Sequence, residues 1–479
     1  MRVHLSLPAI RNLPRVFLIL LASGLLASPA AAGPAFRAPV SYPAGNYPYS
    51  IAIADFNEDG RPDLVVTNLY VSTISILLGM GDGRFGAPTN VNVGSEAGSV
   101  AAGDLDGDGH LDVVVTRLFA GKITVLYGTG AGSFRPPQDY SVGTEPDDVH
   151  VGDFNRDGLP DLAVLDHGTL HCCWSISILM GSAAGGFVPF GNSWAAMWPD
   201  AMGVADFNGD GALDLAVISE YFGTVSIDPG IGDGTFGPSA YFDAGANPLA
   251  MAIGDLNADG LPDVVVSTSP GLAVLLGNGD GTFRPAMEFD APWPHGVAIG
   301  DLDGDSRPDL VTANVDSNSV SILVGNGDGS FAPATSLAAG NRCVSVALAD
   351  LDGDARRDMV VTNAVSNAVS VFINNTAVVS VRDRDPSRSG LTELRPNPFH
   401  GSTAIGYQLA RAGRVRLSIL DLRGRECARL RDEESAPGSH TITWNGRDQQ
   451  GRELPPGVYF VRLEAPGTGR KTLRIVRLK

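Results

Sequence analysis

The chain has 479 residues, 59 of them Gly and 32 Pro, with 44 % hydrophobic residues and a formal net charge of -19. That composition supports a sizeable core rich in turns, and its length allows two to four domains. The negative balance excludes a nucleic-acid partner, because phosphate recognition needs a basic footprint.

Residues 1–32 read as a secretory signal peptide. Arg2, Arg11 and Arg15 precede the apolar run Val16–Ala27, and Ala30 and Ala32 form an A-x-A cleavage pattern. The run is too short for a comfortable membrane span. The expectation is an exported protein, secreted or on the outer cell surface, with no membrane span in the mature chain. The charge is also uneven: the tail from Val381 is net basic, so the body before it is strongly acidic.

That acidic body is a repeat. A nonapeptide recurs seven times at intervals of 46 to 53 residues, from DFNEDGRPD at Asp55 to DLDGDARRD at Asp350. Positions 1, 3, 5 and 9 carry Asp55, Asn57, Asp59 and Asp63 in the first copy. The second has Asp104, Asp106, Asp108 and Asp112; the third has Asp153, Asn155, Asp157 and Asp161. The fourth has Asp206, Asn208, Asp210 and Asp214; the fifth has Asp255, Asn257, Asp259 and Asp263. The sixth has Asp301, Asp303, Asp305 and Asp309; the seventh has Asp350, Asp352, Asp354 and Asp358. All are hard oxygen donors, and position 6 is Gly in five copies, where a sharp turn is needed. Solvated Asp-Gly turns would account for one such loop, not for seven with every position filled. Ca²⁺ is the expected ion, up to seven of them in a structural role; Mg²⁺ prefers fewer protein ligands. Ser306 and Ala355 replace the position-6 Gly in the last two loops, which predicts weaker or distorted sites there.

A second motif, GMGDGRF at Gly79 in the first copy, follows each of the first six loops. The segments between are short and β-branched, without helical period. About 49 residues with four strands is the signature of a propeller blade. The seventh copy stops near Asn375 without the second motif, while AFRAPVSYPAGNYPYS precedes the first. The stretch Phe36–Tyr42 is therefore expected to supply the missing outer strand of the seventh blade, closing the ring.

Two motifs in register, with the literal Phe85-Gly86-Ala87-Pro88, resemble FG-GAP/VCBS repeats, which form integrin-α-like propellers. The resemblance covers about Ala35 to Asn375 and implies a seven-bladed β-propeller at residues 33–380, with structural Ca²⁺ at one rim and ligands met on the opposite face. In antiparallel blades that opposite face carries the 2–3 loops and the 4–1 connections. Tyr70, Phe119, Trp174, Tyr221 and Phe222 fall in the former, and Tyr47, Tyr49, Trp194, Trp198 and Trp293 in the latter. Aromatics on loops favour glycan or extracellular protein partners; capping the channel is the plainer use. In the third blade, His167, His171, Cys172 and Cys173 read as a zinc site, a vicinal disulfide or plain packing.

Residues 381–393 read as a linker. Residues 394–479 show about seven short strands, an Ig-like sandwich. PNPF, WNGRDQQGRELPPGVYFVRL and the basic last strand resemble the FlgD-like Ig domain and the C-terminal sorting domains of type IX secretion. That likeness implies contact with secretion machinery. The whole is expected to be all-β: a propeller followed by a small β-sandwich. No HExxH, GxxxxGK or GxSxG is present. A non-enzymatic binding or adhesion protein is favoured over a secreted polysaccharide-degrading enzyme that uses the propeller as its catalytic or substrate-binding domain, and over a bare spacer.

Overall fold

The computed structural model describes residues 33–168, 174–195, 197–376, 390–395, 401–409, 411–420, 425–455, 457–465 and 469–477. The signal-peptide segment, His171, Cys172, Cys173 and the PNPF motif lie outside them. The described residues are strands and turns, without α-helix.

In the first sheet, the strands Pro48–Ala54, Asp63–Asn68, Thr73–Leu77 and Thr89–Asn92 pair antiparallel in chain order. The second and third strands, DLVVTN and TISIL, are almost wholly buried. They are apolar on both faces because a sheet covers each side. Val65 points to the core shared with the following sheet, among Val100, Val113 and Val115. Leu64 and Val66 point the other way, to Val360, Val369 and Val371 of the last sheet. The strand period of two thus divides one sequence between two cores.

Six further four-stranded sheets of this kind begin at Ala97, Pro146, Pro199, Ala250, Pro294 and Cys343. Each first strand packs on the first strand of the next sheet, and Cys343–Ala349 packs on Pro48–Ala54, so the sheets form a closed ring. The last sheet takes its fourth strand, Val40–Pro43, from the other end of the chain, with Val40 opposite Val371 and Tyr42 opposite Val369. The bridge Phe36–Asn374 and the bond from Arg37 N–H to the Ile373 carbonyl (2.9 Å) extend the seam. The expected closure is therefore formed, and it leaves no open outer position in that sheet.

The remaining residues form two further sheets. One holds Gly390–Arg395, Thr403–Leu409 and Gly438–Trp444; the other holds Glu426–Ser435, Gly413–Leu420, Gly457–Ala465 and Gly469–Arg477. Their shared core is Ile405, Tyr407, Leu417, Ile419, Trp444 and Val461 with their neighbours. The strand from Gly390 begins inside the stretch read as linker. Alternation was too short there to reveal a strand before residue 394. Cys343 is buried and free, its thiol 3.2 Å from the Gly340 carbonyl.

Candidate metal centres

Each acidic loop joins the first strand of a sheet to the second, and each GDG turn joins the third to the fourth. Antiparallel order puts both at one end of the ring. In the first loop, Asp55 accepts the N–H groups of Asp59 (3.1 Å) and Gly60 (2.7 Å), and Asp59 accepts that of Arg61 (3.0 Å). The bond from position 6 to the first Asp recurs in every loop, ending with Ala355 to Asp350 at 2.8 Å. These bonds wrap the chain so that side-chain oxygens face inward.

The wrap needs two left-handed residues per loop. Position 6 is one, and Ser306 (φ 67°) and Ala355 (φ 68°) adopt it despite their Cβ. Position 4 is the other, and the sequence pattern hid it. Gly fills it in four loops, but Glu58, Arg156 and Ala258 hold φ of 58° to 60° in the rest. A non-glycine residue in this region costs about 1 kcal/mol or more. Ala355→Gly is therefore expected to stabilise the chelated protein by about 1 kcal/mol in urea unfolding. A lower midpoint in the variant would contradict this strain.

Position 9 has a role of its own. Asp63 is fully buried at the head of the second strand. Its Oδ2 accepts the Phe56 N–H (3.0 Å), and its Oδ1 accepts the N–H of Gly79 (2.7 Å), which opens the GDG turn. The same pair of bonds recurs at Asp112, Asp161, Asp214, Asp263 and Asp309. In the last sheet, which lacks the GDG motif, Asn374 N–H takes the turn glycine's place on Asp358 (2.7 Å). A Cβ on Gly79 would meet the Pro62 carbonyl oxygen at 2.1 Å, so only glycine fits there. The two motifs are one clasp, and position 9 closes it.

Three loops bring three carboxylates within 4.8 Å of one another: Asp104, Asp106 and Asp108; Asp301, Asp303 and Asp309; Asp350, Asp352 and Asp358. These are the loops with Asp at position 3; the others have Asn57, Asn155, Asn208 and Asn257 there. The loops with Ser306 and Ala355, expected to be distorted, thus gather their carboxylates as well as any. Asp352 leaves Oδ1 buried with no hydrogen-bond partner. That orphaned oxygen among carboxylates is what a hard cation would satisfy, and the all-oxygen donor set fits one.

Electrostatics point the same way. Burial is the largest cause pushing Asp309 up to about 7; backbone N–H groups of Gly325 and Leu302 pull it back, and Asp303 and Asp305 push it further. Burial likewise raises Asp112 and Asp358 to about 6. Arginines answer part of the charge: Arg135 reaches Asp106 (3.0 Å) and Asp108 (2.5 Å), and Arg156 reaches Asp210 (3.1 Å).

The opposite end carries the aromatic side chains. Tyr47 and Tyr70 pack at 4.6 Å, with Arg342 5.9 Å above Tyr47. Trp198 lies 6.1 Å from both Trp174 and His167. Tyr221 packs on Phe222 at 5.0 Å. Tyr70, Phe119, Tyr221 and Trp293 are exposed, Trp293 to 55 %. Two placements differ from the sequence reading. Trp194 ends the strand Phe187–Trp194 opposite Ser175, because the fourth strand of that sheet is longer than in the other repeats. Tyr49 lies within the inner strand Pro48–Ala54, not in the connection before it. Among the described residues, no helix is long and apolar enough to cross a membrane.

Solved structures align with this chain at low identity. BBS1N in its complex with ARL6DN aligns with a TM-score of 0.52 at 12 % identity, covering 71 % of this chain and 98 % of that one. An Agrocybe aegerita lectin specific for non-reducing terminal N-acetylglucosamine gives 0.45 at 20 %, covering 61 % and 81 %. PorZ, a surface component of the type IX secretion system of Porphyromonas gingivalis, gives 0.41 at 16 %, covering 89 % and 59 %. A search of curated proteins finds no match. The FlgD Ig-like domain model matches residues 396–469. The FG-GAP-like repeat model matches residues 55–115, 104–164, 206–266, 255–312 and 301–361. These repeats span more than half of the chain, and the protein belongs to the FG-GAP-like repeat family.

Proposed function

We propose that this protein is an exported, calcium-stabilised propeller that binds glycan or extracellular protein partners through the aromatic rim opposite its acidic loops. The observation that carries the reading is the rim itself: Trp293, Tyr70, Phe119 and Tyr221 are held exposed on short turns of a rigid ring. Exposed aromatics packed in groups, as Tyr70 on Tyr47 and Tyr221 on Phe222, mark interaction surfaces, and Trp and Tyr dominate binding hot spots. The acidic loops hold Ca²⁺ through positions 1, 3, 5 and 9, and the ion's chemistry there is structural: it neutralises converging carboxylates. The Ig-like domain serves export and sorting through the secretion machinery.

The test is a panel of polysaccharides and matrix proteins offered to the calcium-loaded, folded chain. Saturable binding is expected, weakened about tenfold or more by Trp293→Ala or Trp198→Ala. A panel without saturable binding, or one indifferent to both variants, would overturn the rim assignment.

A further inference from the structure

The inner strands line a cavity of 140 Å³ on the ring axis that is open to solvent. Its walls are the second and third residues of six inner strands, counted from Pro48, Ala97, Pro146, Pro199, Pro294 and Cys343 with Gly98 missing, together with Leu249 and Ala250 at the start of the fifth sheet. Most of these positions are small or apolar. The third and fourth sheets break that pattern with Asp147, Asp148 and Asp200, and Tyr49 and His295 complete the polar wall.

The polar groups differ in what they already do. Asp148 is engaged: the Ser99 hydroxyl (2.8 Å) and the Met202 N–H (3.1 Å) donate to it, and the His150 ring lies 3.3 Å away. Asp200 accepts one bond, from the Glu220 N–H (3.1 Å). Asp147 is partly exposed to the cavity, and its carboxylate accepts no hydrogen bond from the described residues. His295 turns Nδ1 toward the Val344 carbonyl (3.2 Å), and burial keeps its ring neutral, which leaves Nε2 as an acceptor. Burial is the largest cause raising both Asp147 and Asp200 to about 7; Asp148 adds to the first and Glu220 to the second. A partly desolvated carboxylate that no protein N–H reaches is stabilised by a cation that brings its own N–H groups.

A bare metal ion is the wrong size, since these carboxylates do not converge as those of the acidic loops do. A cavity of roughly 150 Å³ takes a benzene-sized guest. An alkylammonium has that bulk and three donors, and Tyr49 offers it an aromatic wall.

We propose that the axial cavity binds a primary ammonium group, with Asp147 and Asp200 as its carboxylate partners and Tyr49 beside them. The group can arrive on an amino sugar or on a lysine side chain. The site shares no residue with the rim aromatics and stands whether or not they bind a partner.

Methylammonium, glucosamine and Nα-acetyl-lysine amide would be titrated into the calcium-loaded full chain by calorimetry. Glucose, N-acetylglucosamine and K⁺ serve as controls. The three amines are expected to bind saturably and to compete with one another, while the controls leave methylammonium in place. Asp147→Asn and Asp200→Asn should each weaken methylammonium about tenfold at unchanged melting temperature, and Trp293→Ala should not weaken it. The tighter of glucosamine and the lysine amide identifies the source. No saturable amine binding up to about 100 mM would show a cavity that holds only water. Equal binding of the neutral sugars, displacement by K⁺, or indifference to both Asn variants would also overturn the assignment.

Discussion

Asp263→Ala is expected to destabilise the ring by about 2–6 kcal/mol with chelator present. The side chain is fully buried and accepts the N–H groups of Leu256 and Gly277, each at 2.8 Å. Its removal strands two buried donors, each worth about 1–3 kcal/mol. It also unlinks the acidic loop from the GDG turn of the same sheet. Asp263→Asn keeps the shape but offers only one acceptor oxygen, so its loss should fall between wild type and Ala. Asp259→Ala is the control: that carboxylate is exposed and accepts the Leu261 N–H (3.0 Å) at the loop surface. Its loss without a cation should stay below about 1 kcal/mol. Urea unfolding of the three variants in chelator measures the difference. Equal losses for Asp263→Ala and Asp259→Ala would mean that position 9 matters only as an ion ligand and that the clasp is not structural.

This clasp shows where sequence pattern stops being legible. The strands were readable because DLVVTN and TISIL are β-branched and must be apolar on both faces between two sheets. Closure was readable because the last repeat lacks a piece that Phe36–Tyr42 duplicates, and both now meet across the seam. Position 9 was legible as an oxygen donor but not as a clasp. Its partner Gly79 lies 16 residues on, and nothing in a string of letters aims an N–H at a carboxylate. The left-handed turn at position 4 was masked by Glu58, Arg156 and Ala258, side chains that rarely adopt it. The aromatic groupings were legible only as a face. Tyr70 reaches Tyr47 through the pairing of Pro48 with Asn68 inside the first sheet, whereas Arg342 precedes the last sheet and reaches Tyr47 only through ring closure. The axial carboxylates are not legible as a set because each sheet contributes only one or two residues; only the assembled ring makes them one wall.

Removing Ca²⁺ is expected to lower the melting temperature on the order of 10 °C or more near neutral pH, with the gap widening as pH rises. A ligand bound only by the folded state contributes about 2.7 kcal/mol per site at a hundredfold excess over its Kd, and a few such sites suffice for that shift. The pH direction follows from the buried position-9 carboxyls. Without a cation, their folded-state values are raised from 3.8 to about 6 at Asp112 and Asp358 and about 7 at Asp309, burial being the main cause. A raised carboxyl stabilises the fold while protonated in it, so its contribution is complete below about pH 4 and is lost as pH climbs through 6 to 7. Exposed carboxylates such as Asp108 and Asp210 shift downward, held by backbone N–H groups and arginines, and solvent screens that opposing effect. Calcium displaces the same protons and restores the interaction that deprotonation removes. Melts with Ca²⁺ and with chelator should therefore nearly coincide at pH 4.5 and separate steadily toward pH 7.5. Separate curves at pH 4.5 would show that the position-9 carboxyls do not set the pH dependence, and coincident curves at pH 7.5 would show that the loops do not carry the ring's stability through a cation.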